Sequence, residues 1–249
     1  MKISIITATY NCAQTLGDCL TSVASQTYFN REHVVIDGVS KDGTLDVLEA
    51  KRSQLAVMVS EPDRGIYDAL NKGIAHASGD VIGFLHSDDV YADPDVLAHV
   101  AQVFADPAVC AVYGDLHYVR KDDMTQVVRV WQSNVFTNQR LAWGWMPPHP
   151  TLFVRKQWYE RIGGFDMRYR IAADYFSILQ MFSQPDFNAV YVPEVFVKMR
   201  LGGASNRSFK AIVRKTREDW DALRRTRVGA LGGLGALVWK NLSKLGQFK

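Results

Sequence analysis

Ile3-Ser4-Ile5-Ile6-Thr7-Ala8-Thr9-Tyr10-Asn11 opens with a β-rich run that turns polar at Thr7. The same transition recurs three times. Residues 33–37 run into Asp37-Gly38-Val39-Ser40-Lys41-Asp42-Gly43, residues 56–60 into Glu61-Pro62-Asp63-Arg64-Gly65, and residues 81–85 into His86-Ser87-Asp88-Asp89. Helical patterns over 13–26, 43–53 and 65–78 separate these runs, and a fourth follows at 94–105. Strands alternating with helices of this length predict an α/β fold, a Rossmann-like, mostly parallel sheet flanked by helices. Such sheets bind ligands beyond the carboxyl ends of their strands. Any one polar cluster is also what a turn or an N-cap looks like. Four of them, each at a strand end, read as a site.

Of the 249 residues, 47% are hydrophobic and 22% charged, enough to bury a core without disulfides or metal staples. Cys12, Cys19 and Cys110 have no metal-ligand spacing and read as free thiols in a reducing compartment. The first apolar run is too short for a signal-peptide core, and no stretch reaches the roughly 20 apolar residues of a membrane span. The expectation is a cytoplasmic protein. Charge divides the chain. Residues 207–249 hold 11 Lys and Arg against 3 Asp and Glu, a balance of +8, while residues 1–206 hold 18 against 23, a balance of −5. This suggests a body over 1–206 and a basic helical tail over 207–249, with an anionic partner for the tail only and no nucleic acid on the body. Between them, 110–119 and 127–131 read as a hairpin, 158–164 as a short helix with a glycine cap, 172–182 as a helix, and 189–192 and 195–199 as two strands. Residues 143–151, with three prolines, read as non-helical.

Seven motifs, in order, resemble glycosyltransferase family 2. They begin with Ile5-Ile6-Thr7-Ala8-Thr9-Tyr10-Asn11, the stretch from Val35 to Thr44, and Ser87-Asp88-Asp89 after a strand. The stretch from Glu61 to Ile74 resembles a subgroup that builds O-antigen and exopolysaccharide. His149-Pro150-Thr151-Leu152-Phe153-Val154, Ile162-Gly163-Gly164-Phe165-Asp166 and Ile171-Ala172-Ala173-Asp174-Tyr175 complete the match. The resemblance implies the GT-A fold and an inverting transfer from a nucleotide sugar.

Such a transfer needs a base for the acceptor hydroxyl, stabilisation of the leaving diphosphate, and alignment of both. A divalent cation, Mn2+ or Mg2+, serves the diphosphate, and hard cations take carboxylate oxygens. The match gives Asp88 the metal role, with Asp89 beside it. His86 departs from the family, standing where its first carboxylate does. A ribose contact or ligation of a softer cation both suit it, with Ser87 on the same donor loop. The resemblance assigns Thr7, Thr9 and Asn11 to the nucleotide. It assigns Asp37 to the base, and an ionised carboxylate suits the N3–H of uracil. Asp63 and Asn71 fall in positions that line the donor site. Lys72 reads as a solvated helix charge. The family's catalytic carboxylate matches Asp174. His149 sits in the proline loop, facing either acceptor or diphosphate.

Two other readings compete. A nucleotidyltransferase usually opens on a Gly-rich basic phosphate loop, which residues 7–11 lack. A non-catalytic nucleotide-sugar binder would not need a base. In the tail, Phe209, Ile212, Val213, Trp220 and Leu223 fall near helical spacing and predict a packed face. Further on, Leu231, Leu234, Val238, Leu242, Leu245 and Phe248 recur at spacings of three or four. That pattern suits a helix lying in an anionic membrane surface with Trp239 at headgroup depth, near a lipid-linked acceptor at the cytoplasmic face. Packing on its own domain, or on a second subunit in a homo-oligomer, is the alternative.

Overall fold

The computed structural model describes residues 1–202, 209–229, 233 and 235–237. Its first half is the anticipated alternation: β1 (Ile3–Thr9), α1 (Ala13–Ala24), β2 (Arg31–Asp37), α2 (Thr44–Ala50), β3 (Val57–Ser60), α3 (Ile66–His76) and β4 (Val81–Phe84). Strands β3, β2, β1 and β4 lie side by side in parallel, with Ile3 opposite both Arg31 and Val81. Strand β1 is apolar on both faces. Ile6 packs with Leu70, Ile74 and Phe84 on one side, and Ile3 and Ile5 pack with Cys19, Val23 and Leu97 on the other. Fully burying such a side chain stabilises by about 1.5–3 kcal/mol. Helix α3 comes so close to β1 that a Cβ at Gly73 would collide with Ile6. Only glycine allows that approach, which sets the height of α3 over the sheet.

The second half departs from a purely parallel design. After β5 (Val90–Tyr91) and α4 (Val96–Val103) come β6 (Ala111–Val119), β7 (Val127–Trp131), α5 (Asn138–Ala142), β8 (Phe153–Arg155), α6 (Lys156–Ile162), α7 (Ala173–Phe182), β9 (Ala189–Arg200) and α8 (Phe209–Thr226). The sheet order is β3-β2-β1-β4-β8-β6-β9-β5, with β7 paired antiparallel to the far end of β6, beyond β8. Strand β8 joins β4 to β6 by antiparallel pairing on both sides, while β6 and β9 are parallel. Strands β5 and β8, of two and three residues, are too short to show a period in the sequence. The two expected strands at 189–199 are one strand. Its register on β6 slips between Tyr113 and Leu116, opposite Pro193, which cannot donate to a ladder. The proline segment at 143–151 is largely irregular as expected, but His149–Thr151 forms one 3-10 turn with Pro150 inside it.

Helix α8 docks on α7 and the loop before it, with Asp219, Ala222 and Leu223 buried. The expected packing face is only partly right. Leu223 is 1% exposed, but Ile212 and Val213 are 54% and 51% exposed. Polar contacts fix the rotation of this helix: Tyr169 Oη donates to Asp221 (2.7 Å) and Arg225 pairs with Asp166 (3.0 Å). The apolar positions Leu231, Leu234, Val238, Trp239, Leu242, Leu245 and Phe248 lie outside the described residues. No helix among the described residues is long and apolar enough to cross a membrane.

The β2 side of the sheet is tied by one carboxylate. Glu32 accepts from Ser4 Oγ (2.5 Å) and from Ser78 N and Oγ (2.6 and 2.8 Å), and pairs with Lys2 (2.6 Å). Burial alone would raise its pKa, but the hydrogen bonds from Lys2, Ser4 and Ser78 outweigh it and hold the group down at about 2. A carboxylate depressed in the folded state stabilises above its unfolded pKa and loses that contribution as pH falls through the folded value. Here the window runs from about 4.5 down to about 2. Glu32→Gln is expected to be less stable than wild type in urea at pH 7, with the difference shrinking steadily toward pH 2.5. An equal difference at both pH values would show that the charge of Glu32 plays no part.

Candidate active site

Strands β1 and β4 end at the floor of an open cleft of about 2210 Å³. The N-terminal ends of α3 and α7, the segment from Arg129 to His149, the end of β9 and one face of α8 form its walls. Of the residues singled out in the sequence, Thr9, Asn11, Asp63, His86, Ser87, Asp88, His149 and Asp174 line this cleft. Thr7, Asp37, Asn71 and Asp89 do not, and each has another task.

At the end of β1, the Thr7 hydroxyl donates to Leu85 O (2.8 Å), tying β1 to β4. Its single hydrogen is thereby used, so His33 Nε2, at 2.9 Å, is the donor to Thr7 Oγ1. Burial drives the His33 pKa down to about 3 and keeps the ring neutral. Asp37 is fully buried, accepting from Ser40 N (3.0 Å), Ser40 Oγ (2.5 Å) and Ser60 Oγ (2.7 Å). It shapes the turn after β2, and Ser40 and Ser60 engage both of its oxygens. The carboxylates that do reach the cleft here are Asp42 and Asp63; of these, Asp63 lies beside the turn of Asp37. It sits against Gly38, where a Cβ would lie 2.5 Å from its Oδ2, and it accepts from Gly65 N (2.8 Å). Asn11 holds a left-handed backbone (φ 49°), accepts from Lys41 N (2.8 Å) and joins the first two loops. Tyr10, 63% exposed at the same mouth, escaped the sequence reading.

The turn after β4 separates two adjacent carboxylates. Asp88 lines the cleft, whereas Asp89 is fully buried behind it and accepts from Arg200 N (3.2 Å). Burial, reinforced by the Asp88 charge, pushes the Asp89 carboxyl well above its usual range. Asp89 is therefore not placed as a second metal ligand. Arg200, on β9, donates to Asp88 O (3.0 Å) and pairs with Asp18 (2.5 Å), locking this turn to the far strand. Nothing in the sequence linked positions 88 and 200.

Both cleft histidines are held neutral. Burial lowers the pKa of His86 against the opposing pull of Asp88 and Asp174, so its ring lies within reach of both charges. His149 stacks on Phe84 (5.3 Å), meets Phe165 edge-on (5.7 Å) and lies 6.5 Å from His86. Burial brings it down to about 4, and its Nε2 has no protein partner. Asp174 is the second residue of α7. Tyr67 Oη reaches it at 3.1 Å while donating to Ile171 O at 2.6 Å. Burial and the Asp174 charge keep that phenol protonated. Asn71, expected at the donor, turns the other way. Its amide accepts from Phe165 N (2.8 Å) and donates to Phe165 O (2.9 Å), clamping the loop before α7. Lys72 is engaged with Glu61 (2.8 Å) and Pro62 O (2.7 Å), as a structural charge.

Among the described residues no three His, Cys, Asp or Glu side chains gather as a metal cage. One cleft-facing carboxylate, Asp88, nevertheless fits a hard cation of the kind bound by one or two carboxylates plus substrate phosphates.

Residues 4–172 match the family model described as glycosyl transferase family 2. An uncharacterised glycosyltransferase of Mycobacterium tuberculosis is 37% identical over 180 residues, covering 72% of this chain and 68% of the relative. A PGL/p-HBAD biosynthesis glycosyltransferase of Mycobacterium bovis is 33% identical over 208 residues, covering 82% of this chain and 78% of the relative. Among solved structures, S. aureus TarS bound to UDP-GlcNAc superposes with a TM-score of 0.71 at 19% identity, over 92% of this chain and 66% of TarS 1-349. The mannosyltransferase PcManGT of Pyrobaculum calidifontis, in complex with GDP-Man and Mn2+, gives 0.67 at 22%, over 96% of this chain and 68% of that one. The chain thus spans about two thirds of the length of these solved structures, and shares their GT-A fold.

Proposed function

Because the chain belongs to glycosyltransferase family 2, we propose that it transfers a sugar, with inversion, from a uridine diphosphate donor to a hydroxyl of a lipid-linked glycan. The observation that carries this reading is the convergence on one cleft of Asp88 from the end of β4 and Asp174 from the start of α7, with His86 in the field of both. Asp174 takes the proton of the acceptor hydroxyl as its oxygen bonds to the anomeric carbon. The bond from that carbon to the diphosphate oxygen breaks on the opposite side. Asp88 would hold a Mn2+ or Mg2+ ion, which supplies Lewis-acid neutralisation of the departing charge. Neutral His149 and His86 line the path between them, adding hydrogen-bonding capacity without a second positive charge. Asp89, through Arg200, holds Asp88 in place.

The nucleoside end is assigned to Thr9, Tyr10, Asn11 and Asp63. An exposed tyrosine ring suits stacking on a base, and Asp63 takes the part first expected of Asp37, accepting from the base N–H. The UDP and UDP-GlcNAc complexes of TarS favour uridine, and the Mn2+ complex of PcManGT favours the metal. On the acceptor side, Trp143, 45% exposed, and Trp145 stand with Arg140 and Lys215 on the cleft wall. Aromatic faces suit sugar rings and the Arg140 guanidinium suits a phosphate, the two parts of a lipid-diphosphate glycan, while Lys215 is paired with Asp219 (2.6 Å). A site for such an acceptor belongs at a membrane. Exposed Ile212 and Val213 next to Arg214 and Arg217 on α8 support peripheral attachment to the anionic cytoplasmic leaflet. The residues from 207 onward include α8, which also walls the cleft, and surface-glycan synthesis is the setting of this reading.

In a panel of UDP-glucose, UDP-galactose, UDP-N-acetylglucosamine, GDP-mannose and dTDP-rhamnose, a UDP-sugar is expected to bind most tightly, and only with Mn2+ or Mg2+ present. Asp88→Asn should lose this metal-dependent binding; a variant that bound UDP as tightly as wild type with Mn2+ present would refute the assignment. The released product should be UDP, since a nucleotidyltransferase would yield pyrophosphate.

Asp174→Asn is expected to leave UDP affinity nearly unchanged and to lower turnover by about 10² or more, the scale of a lost general base. A parallel loss of UDP affinity, with circular dichroism unchanged, would make Asp174 a binding residue.

The full chain should co-sediment with anionic liposomes at low salt, and a chain ending at Arg227 should do so less. Both remaining in the supernatant would remove the membrane from the proposal.

A further inference from the structure

Helix α7 carries Asp174 in its first turn but brings no side-chain cap of its own, because Ala172 occupies the cap position. The three residues leading into it, Arg170, Ile171 and Ala172, present consecutive backbone N–H groups. All three donate to one carboxylate 46 or more positions along the chain, that of Glu218 on α8. Arg170 N lies 3.2 Å from Oε1, and Ile171 N and Ala172 N lie 2.8 and 3.0 Å from Oε2. Successive backbone N–H groups in such a concavity form a natural anion nest, and a negative charge is favoured at the N-terminal end of a helix.

The same three residues connect directly to the chemistry. Ile171 offers its N–H to Glu218 and its carbonyl to Tyr67 Oη, which also touches Asp174 Oδ1. The chain of contacts runs from Glu218 through the Ile171 peptide and Tyr67 to Asp174. Around it, Tyr169 to Asp221, and Arg225 to Asp166 and over the ring of Phe176 (4.6 Å), keep α8 clipped to this loop. We propose that Glu218 is a positioning residue for the transfer, fixing Asp174 by filling the nest ahead of α7, so that α8 is part of the catalytic apparatus. The inference rests on the reading of Asp174 as the base.

The full chain tests it, with UDP plus Mn2+ as the binding probe and UDP release from the fastest-turned-over UDP-sugar of the panel as the rate. Glu218→Ala should lower kcat by about tenfold to a hundredfold, the scale of a slightly misplaced catalytic group, while UDP affinity stays within about twofold. Added acetate should restore part of the rate by occupying the emptied nest, and chloride at equal ionic strength should not. In an Asp174→Asn background, Glu218→Ala should cause no further loss. If Glu218→Ala fails to fold, Glu218→Ser, whose short side chain also empties the nest, enters the same comparisons. A fall in UDP affinity equal to the fall in kcat, no recovery with acetate, or additive losses in the double variant would overturn the proposal. Full turnover by Asp174→Asn would sink the base reading itself, whereas normal turnover by Glu218→Ala beside an inactive Asp174→Asn would sink this inference alone.

Discussion

Strand β1 is buried on both faces between β2 and β4, and the position of every group in the cleft follows from where it stops. Its polar residues before Thr9 are both used internally, Ser4 to bind Glu32 and Thr7 to bind Leu85 and His33. The chain therefore becomes free to meet a ligand only from Thr9 onward. Because β4 is in parallel register with β1, its own polar turn at His86 emerges at the same level. Gly73 lets α3 lie directly on Ile6, which brings Tyr67 to that level as well.

Carboxylates in this molecule divide by what surrounds them. An ionised carboxylate taken from water must be compensated by donors or give up its charge. Asp37 and Glu32 are compensated by serine hydroxyls and backbone N–H groups, and serve as internal ties. Asp89, with one oxygen facing Arg200 N and the other unpartnered, is pushed toward its neutral form. Asp63, Asp88 and Asp174 keep access to the cleft, where a ligand or a proton can reach them. The two neutral histidines follow from the same cost of burying charge.

Side chains far away in sequence hold the backbone around the cleft in place. Arg200 on β9 secures the Asp88 turn, Asn71 on α3 secures the backbone at Phe165, and Glu218 on α8 secures the backbone ahead of Asp174. In each case a side chain satisfies main-chain groups that the local sequence leaves open. The cleft is thus assembled from three separate regions, none of which forms it alone.

Local periodicity and turn chemistry were enough to read β1 to β4, the helices between them and the hairpin of β6 and β7, because each is long enough to show its period. The family motifs carried the reading to Asp88, Asp174 and His149. They did not show that Asp89 is buried behind Asp88, since neighbours in one turn differ here only in whether they point into the cleft or into the interior. They put Asp37 and Asn71 at the ligand, because a residue type cannot reveal that its hydrogen bonds are already taken by Ser40, Ser60 or Phe165. Strands β5 and β8 were invisible for want of length, and the face of α8 was misjudged because ion pairs, not apolar residues, set its rotation. What the sequence determined by itself is the parallel half of the sheet and the chemical types gathered at its strand ends, since both depend on local pattern. Which of those groups reach the cleft, and which distant residues hold them there, was decided only by tertiary structure, because burial and hydrogen-bond partnership are properties of the packed molecule.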